Sequence, residues 1–211
     1  MRANQRLIAQ DGYEVMLFPM EYMNISQGEY GSTSHYLAMD FLGWNSSGRI
    51  YDCPYYAPCS CRCVAHWGSE ANTTWESLDM VHLPDGRLTK VCWCCQHDEN
   101  PLPVGTVLTQ GDLMGHSGTA GYVTGDHFHF NTAIGPYDGY ELIPGSSQWY
   151  ELKNSSHIYD TCYVNDTVII DGNGYNWRDY TGPVPPTPTP SKDKKFPWVL
   201  YANKIRAKRG V

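Results

Sequence analysis

The feature that most constrains this chain is the brevity of its apolar runs. Residues 14–18, 36–41, 59–65, 90–95 and 127–130 are short, rich in β-formers, and bounded by Gly, Pro, Asn or Asp. No long segment combines a helical period with capping signals. With 20 Gly and 14 Pro punctuating the chain, and 16 Tyr and 7 Trp among its aromatics, short strands and turns are favoured over helices. The spacing predicts an all-β fold, a compact antiparallel sandwich or barrel-like body. Residues 166–171, followed by Gly172-Asn173-Gly174, read as one more strand and its turn, after which Tyr175-Asn176-Trp177 is expected to pack back on the body.

The 211 residues, 41% of them hydrophobic, provide one domain with a core and a tail. The expected division is a body over 1–180, a Pro/Thr spacer over 181–191 that cannot join a sheet, and a basic tail over 192–211. The net charge of −7 hides an asymmetry: residues from Ser191 to Val211 carry +6 and the remainder −13. Such an acidic body is unsuited to nonspecific nucleic-acid binding, while the basic tail suits an anionic partner of its own. The tail's Phe196-Pro197-Trp198-Val199-Leu200-Tyr201 is too short to span a bilayer but can lie at an anionic surface. No apolar run reaches the about 18 residues of a membrane span, and Met1-Arg2-Ala3-Asn4-Gln5-Arg6 leads into no signal-peptide core. The expectation is a chain without a secretion leader, with its eight cysteines made in reduced form.

Chemistry concentrates in His35 with Asp40, in His97, and in His127-Phe128-His129. Side chains alternate along a strand, so His127 and His129 project from one face and Phe128 from the other. A catalytic zinc commonly takes three protein ligands of His or carboxylate type and leaves one position for water, whose pKa falls on binding. His35, Asp40 and one of the two histidines in His127-Phe128-His129 meet that need.

Taken in order, Ser34-His35, Asp40, His97, Gln110-Gly111-Asp112, Gly118-Thr119-Ala120-Gly121 and Thr124-Gly125-Asp126-His127-Phe128-His129-Phe130 resemble the LytM/lysostaphin-type zinc endopeptidases. With Gly172-Asn173-Gly174-Tyr175-Asn176-Trp177, the resemblance narrows to the branch encoded by phages and prophages of Gram-positive hosts and extends roughly over 7–177. It implies an antiparallel β fold of the duplicated-hybrid-motif type with an open groove. It implies zinc bound by His35, Asp40 and His129, with His97 and His127 off the metal as base and oxyanion donor, in either assignment. The implied substrate is bacterial peptidoglycan, cut at a peptide bond of its stem or cross-bridge. The enzyme would be made in the host cytoplasm and act on the wall, as an endolysin or on the virion. An anionic wall polymer or membrane surface then suits the tail.

This sequence departs from the family at two positions. Four residues separate His35 from Asp40 where the family has three, which on a regular strand puts the two on opposite faces; a bulge between Tyr36 and Met39 is expected to restore convergence. Asn131 stands where the family often has Glu, and is read as orienting a ligand without binding metal.

Plainer roles fit other candidates. His66, His82, His116 and His157 are read as surface or core residues. Cys59, Cys61, Cys63, Cys92, Cys94 and Cys95 alternate too closely for a zinc knuckle and are read as small apolar packing, with disulfides or a second metal site as the rivals. Glu70, Glu76, Asp79, Asp98 and Glu99 are read as solvated charges, and Gly118-Thr119-Ala120-Gly121 as a turn shaping the groove. Two alternatives to the endopeptidase remain: a catalytically silent wall-binding or tail-structural module with the same fold, and a zinc amidase that cuts the sugar-peptide link.

Overall fold

The computed structural model describes residues 1–69 and 71–184. A nine-stranded sheet forms the body. From one edge its strands run Val107–Leu108, Cys61–His66, Thr73–Ser77, Val91–Gln96, Phe128–Ile134, Met39–Phe41, Tyr22–Gln27 and Val168–Asp171, while Ser155–Ser156 pairs on Phe128–Ile134. A three-stranded ladder of Glu14–Val15, Val81–His82 and Leu88–Thr89 and three two-stranded pairs complete the strand inventory of the described residues. One helical turn, Ile158–Thr161, is the sole α element among them. No described helix is long and apolar enough to cross a membrane.

The all-β expectation holds, with three corrections. The described strands close no barrel, because the large sheet runs open from edge to edge. Two pairings are parallel, Val168–Asp171 on Tyr22–Gln27 and Glu14–Val15 on Val81–His82. The expected strand over 36–41 shrinks to Met39–Phe41, for reasons that lie in the site. The spacer from residue 185 onward and the basic tail lie outside the described residues, as does Glu70.

Alternation along the central strands decides which face becomes core. Phe128 and Phe130 are fully buried, Phe128 stacking on Tyr55 at 4.2 Å between ring centroids and on Phe130 at 5.3 Å. Trp93 and Cys95 on the neighbouring strand, and Met39 and Phe41 on the other side, join the same cluster. Each such large side chain contributes about 2 kcal/mol by leaving water, so the register is pinned; a one-residue slip would drive imidazoles into this core. The opposite face carries His129, Asn131 and Ala133, flanked by Cys92, Cys94 and Leu152.

All eight cysteines are buried and free. They divide between the two faces, with Cys53, Cys59, Cys61, Cys63, Cys95 and Cys162 in the large cluster and Cys92 and Cys94 in the small one. They fill the role of small apolar residues. The trailing segment behaves as expected, Tyr175 and Trp177 packing against the main core.

Candidate metal centre

Asp40 and His129 are direct cross-strand partners in the antiparallel ladder of Met39–Phe41 with Phe128–Ile134, so both side chains leave the same face. Their contact is short, His129 Nδ1 lying 3.0 Å from Asp40 Oδ1. His35 completes the group: its Nε2 is 3.1 Å from Asp40 Oδ1 and 3.1 Å from His129 Nδ1. All three residues are buried. Among the described residues this is the one grouping of three or more potential metal ligands, with ligand atoms within 4.8 Å of one another.

His35 reaches the group by a route other than the expected bulge. Residues 36–38 leave the ladder altogether, and their backbone N–H groups point at one buried carboxylate. Glu151 accepts from Tyr36 N at 2.6 Å, from Leu37 N at 3.0 Å and from Ala38 N at 3.0 Å. Three consecutive donors closing on one anion form a tight anion-binding turn, which takes up the extra residue between His35 and Asp40. Asn131 makes no hydrogen bond to a ligand side chain. Its amide donates to Glu151 Oε2 at 3.5 Å, and its carbonyl accepts from Leu152 N at 3.0 Å. On its outer edge, His35 Nδ1 meets the Gln27 amide and, at 3.1 Å, Ser34 Oγ.

His97 and His127 sit beside the group without belonging to it. Gln96, not His97, is the cross-strand partner of His129. Alternation would therefore send His97 to the core side. Its backbone instead turns through φ +80°, a conformation uncommon for a residue with a side chain, and the ring enters the cleft. His97 Nδ1 donates to Ala120 O at 2.9 Å and His127 Nδ1 donates to Gly125 O at 2.8 Å. A carbonyl oxygen can only accept, so each ring carries a proton on Nδ1, and in its neutral form presents a lone pair at Nε2. The two rings are 4.4 Å apart, and His127 Nε2 is 3.5 Å from Asp40 Oδ1.

Both supporting loops are tied down. Gly118 pairs with His127 in an isolated bridge, and a Cβ there would collide with the His97 carbonyl and the Glu99 carboxylate, so the turn requires glycine. Asp126 accepts from Ser117 Oγ at 2.8 Å and from Asp52 N at 3.1 Å, and pairs with Arg49, fixing the chain entering His127. Asp98 corrects the reading of solvated charge: it is buried and accepts from His116 N at 3.0 Å and Asn100 N at 2.7 Å. His82 pairs with Asp11, and His157 with Glu29, both away from the centre.

Electrostatics agree with a cation site. Burial opposes ionisation of Asp40, yet hydrogen bonds from His129 and His35 overcome it and hold the carboxyl well below the usual carboxylate range. Burial lowers His129, with Asp40 opposing. Burial, reinforced by the neighbouring His129, lowers His97 to about 4. A four-coordinate zinc with bonds of about 2.0–2.2 Å needs donors roughly 3.3–3.6 Å apart. The observed separations of 3.0 to 3.1 Å meet that with a slight expansion, and two neutral imidazoles with one carboxylate are the donors zinc takes. The residues fit the metal.

The group lies in a cleft of about 550 Å³ whose lining includes Gln27, Gln96, Tyr122 and Trp149. A hollow of about 240 Å³ continues past His127 and shares Gln27, Asp40 and Thr124. The groove therefore runs through the site and continues beyond His127. Sequence reasoning missed Glu151, Gln27, Tyr122 and Trp149. Glu151 sits in an ordinary Tyr150-Glu151-Leu152 strand with no local signal of its role.

No family model matches the chain. Over 171 residues, 79% of its length, it is 42% identical to Morphogenesis protein 1 of Bacillus phage B103. The chain is similar to a phage protein. It spans 45% of that phage relative's length. Solved structures with a partial likeness include the antimicrobial peptidase lysostaphin from Staphylococcus simulans, 21% identical, covering 55% of this chain and 44% of that one at a TM-score of 0.38. Another is a zinc-containing peptidase from Vibrio cholerae, 15% identical, covering 63% of this chain and 44% of that one at a TM-score of 0.38.

Proposed function

We propose that this chain is a zinc-dependent peptidase that hydrolyses peptide bonds in the stem or cross-bridge of bacterial peptidoglycan. The observation that carries the reading is the convergence of His35 Nε2, Asp40 Oδ1 and His129 Nδ1 at 3.0 to 3.1 Å on the floor of an open groove, with two further imidazoles alongside. A purely structural metal has no use for the second pair. Peptidoglycan as substrate is supported by the motif resemblance and is in keeping with the similarity to a phage protein.

In this reading His35, Asp40 and His129 hold the metal, and Glu151 with Asn131 holds the loop that delivers His35. Zinc bound there supplies Lewis-acid activation of water and of the scissile carbonyl. His97 and His127 offer lone pairs at Nε2, so each begins as a proton acceptor. Either ring takes a proton from the attacking water and then, as imidazolium, donates it at Nε2 to the oxyanion or the leaving amine. His97, held neutral by its burial, acts as an oxyanion donor only after it has gained that proton.

The peptidase domain would occupy 1–180, with 181–191 as spacer and the basic tail of 192–211 directed to an anionic wall polymer or membrane surface. A phage setting, in lysis at release or wall opening at entry, accords with the similarity to the Bacillus phage protein.

The test is to incubate the purified protein with peptidoglycan from several Gram-positive hosts and measure new free amino groups, beside chelator-treated and His129→Ala samples. Amines that rise with the native protein and vanish in both controls are expected, with fragment masses distinguishing a peptide cut from the intact stem peptides that an amidase releases. No release on any wall would sink the enzyme and favour a silent binding module.

A further inference from the structure

One wall of the cleft has a composition that the hydrolytic chemistry does not use. Tyr122 stands 90% exposed on the loop whose Ala120 carbonyl holds His97, and its ring faces Trp149 at 6.2 Å between centroids. Next in sequence, Tyr150 is 40% exposed and is backed by Trp67 at 5.0 Å, which in turn stacks on Tyr140 at 4.5 Å. Large aromatic faces left open to water beside a site mark a ligand surface, since leaving them bare forfeits their burial.

What the wall lacks narrows the ligand. Among the described residues lining the cleft there is no Lys, Arg or Glu; beyond Asp40, the histidines and the tyrosines the lining is Gln, Asn, Ser, Thr, Gly, Val and Trp. Away from the metal group, a ligand segment bearing carboxylates or phosphates would meet no Lys or Arg among the described residues of this wall, in a body that carries net negative charge. A neutral ligand with a flat hydrocarbon face and hydroxyl or amide groups at its rim matches both halves of the surface. The ring quadrupole puts negative potential over the aromatic faces, and the C–H bonds on one side of a pyranose present slightly positive hydrogens to them. Asn72 and Gln96 supply side-chain amides for hydroxyl or N-acetyl groups.

We propose that Tyr122, Trp149 and Tyr150 form a binding wall for neutral N-acetylated sugar units, so that the glycan strand is gripped beside the peptide being cut. This rests on the peptidoglycan reading for its biological ligand. Sugar binding itself needs neither the metal nor a scissile bond.

The experiment is an NMR titration of the full chain with chitotetraose, a neutral N-acetylglucosamine tetramer without any peptide bond, repeated in chelator and with tetraglycine. Saturable shifts on the 118–124 and 143–150 loops are expected, unchanged by chelator, with affinity falling at least fivefold in Tyr122→Ala and in Trp149→Ala. Tyr122 is so exposed that its removal does not threaten folding, which keeps the test decisive if the Trp149 variant misfolds. The proposal is overturned if chitotetraose gives no saturable shift, if Tyr122→Ala binds it as well as the native chain, or if tetraglycine takes the wall instead. Loss of peptidase activity on whole peptidoglycan, with sugar binding retained, would count against the hydrolase alone.

Discussion

The Tyr36 backbone N–H donates to Glu151 Oε1 at 2.6 Å across 115 positions of sequence. With Leu37 and Ala38 on the same carboxylate, this one acid sets the path between two metal-ligand candidates. Glu151→Ala leaves three N–H groups unpaired and is expected to cost about 3 kcal/mol of stability by urea denaturation. Glu151→Gln keeps an acceptor and should retain most of the stability. Both should weaken metal binding, read from the visible spectrum of the cobalt-substituted protein, and unaltered spectra in both would show that the clamp does not position His35.

Metal content follows the triad. The native protein is expected to bind one zinc by elemental analysis, and His129→Ala or Asp40→Ala none after dialysis. A ligand present at about 100 times its Kd adds about 2.7 kcal/mol, so chelation should lower the thermal midpoint of the native chain and leave those variants unmoved. A second tightly held zinc would reopen the cysteines as ligands.

His97→Ala and His127→Ala make the opposite prediction. Each should keep one zinc and a native fold while losing about 10² to 10⁴ in kcat. Loss of the metal from either variant would place that histidine among the ligands.

Part of the acid sensitivity should trace to His97. Its folded pKa, lowered by burial to about 4 from 6.5, means that the unfolded chain binds the extra proton in the window between those values. The contribution is fully present above pH 6.5 and is lost as pH falls towards 4, amounting to at most about 3 kcal/mol. Denaturation midpoints of chelated protein at pH 7.5 and 4.5 should differ less in His97→Asn than in the native chain. An equal difference in both would assign the sensitivity elsewhere.

The thiols should be silent. Burial raises Cys59, Cys61 and Cys95 well above the ordinary range and Cys53 to about 11, so thiolate is scarce at neutral pH. A thiol reagent should label none of the eight quickly in the native protein and all of them in denaturant. A count below eight under denaturing, non-reducing conditions would reveal a disulfide.

The open groove came from the family resemblance alone, while alternation around His127-Phe128-His129 and the punctuation by Gly and Pro were sufficient to read the all-β class and to single out His35, Asp40, His97, His127 and His129 as candidates. These are local properties: a period of two needs only a strand, and the pull of Phe128 and Phe130 into the core needs only their hydrophobicity. How His35 reaches Asp40 was decided by Glu151, because an isolated chain has no means of telling which distant carboxylate will satisfy three backbone donors. Tertiary structure likewise turned His97 through φ +80° into the cleft, made Val168–Asp171 pair in parallel with Tyr22–Gln27, and set Tyr122 against Trp149. Each of these joins residues far apart in sequence, where the free energy lies in the contact itself and local patterning carries no trace of it.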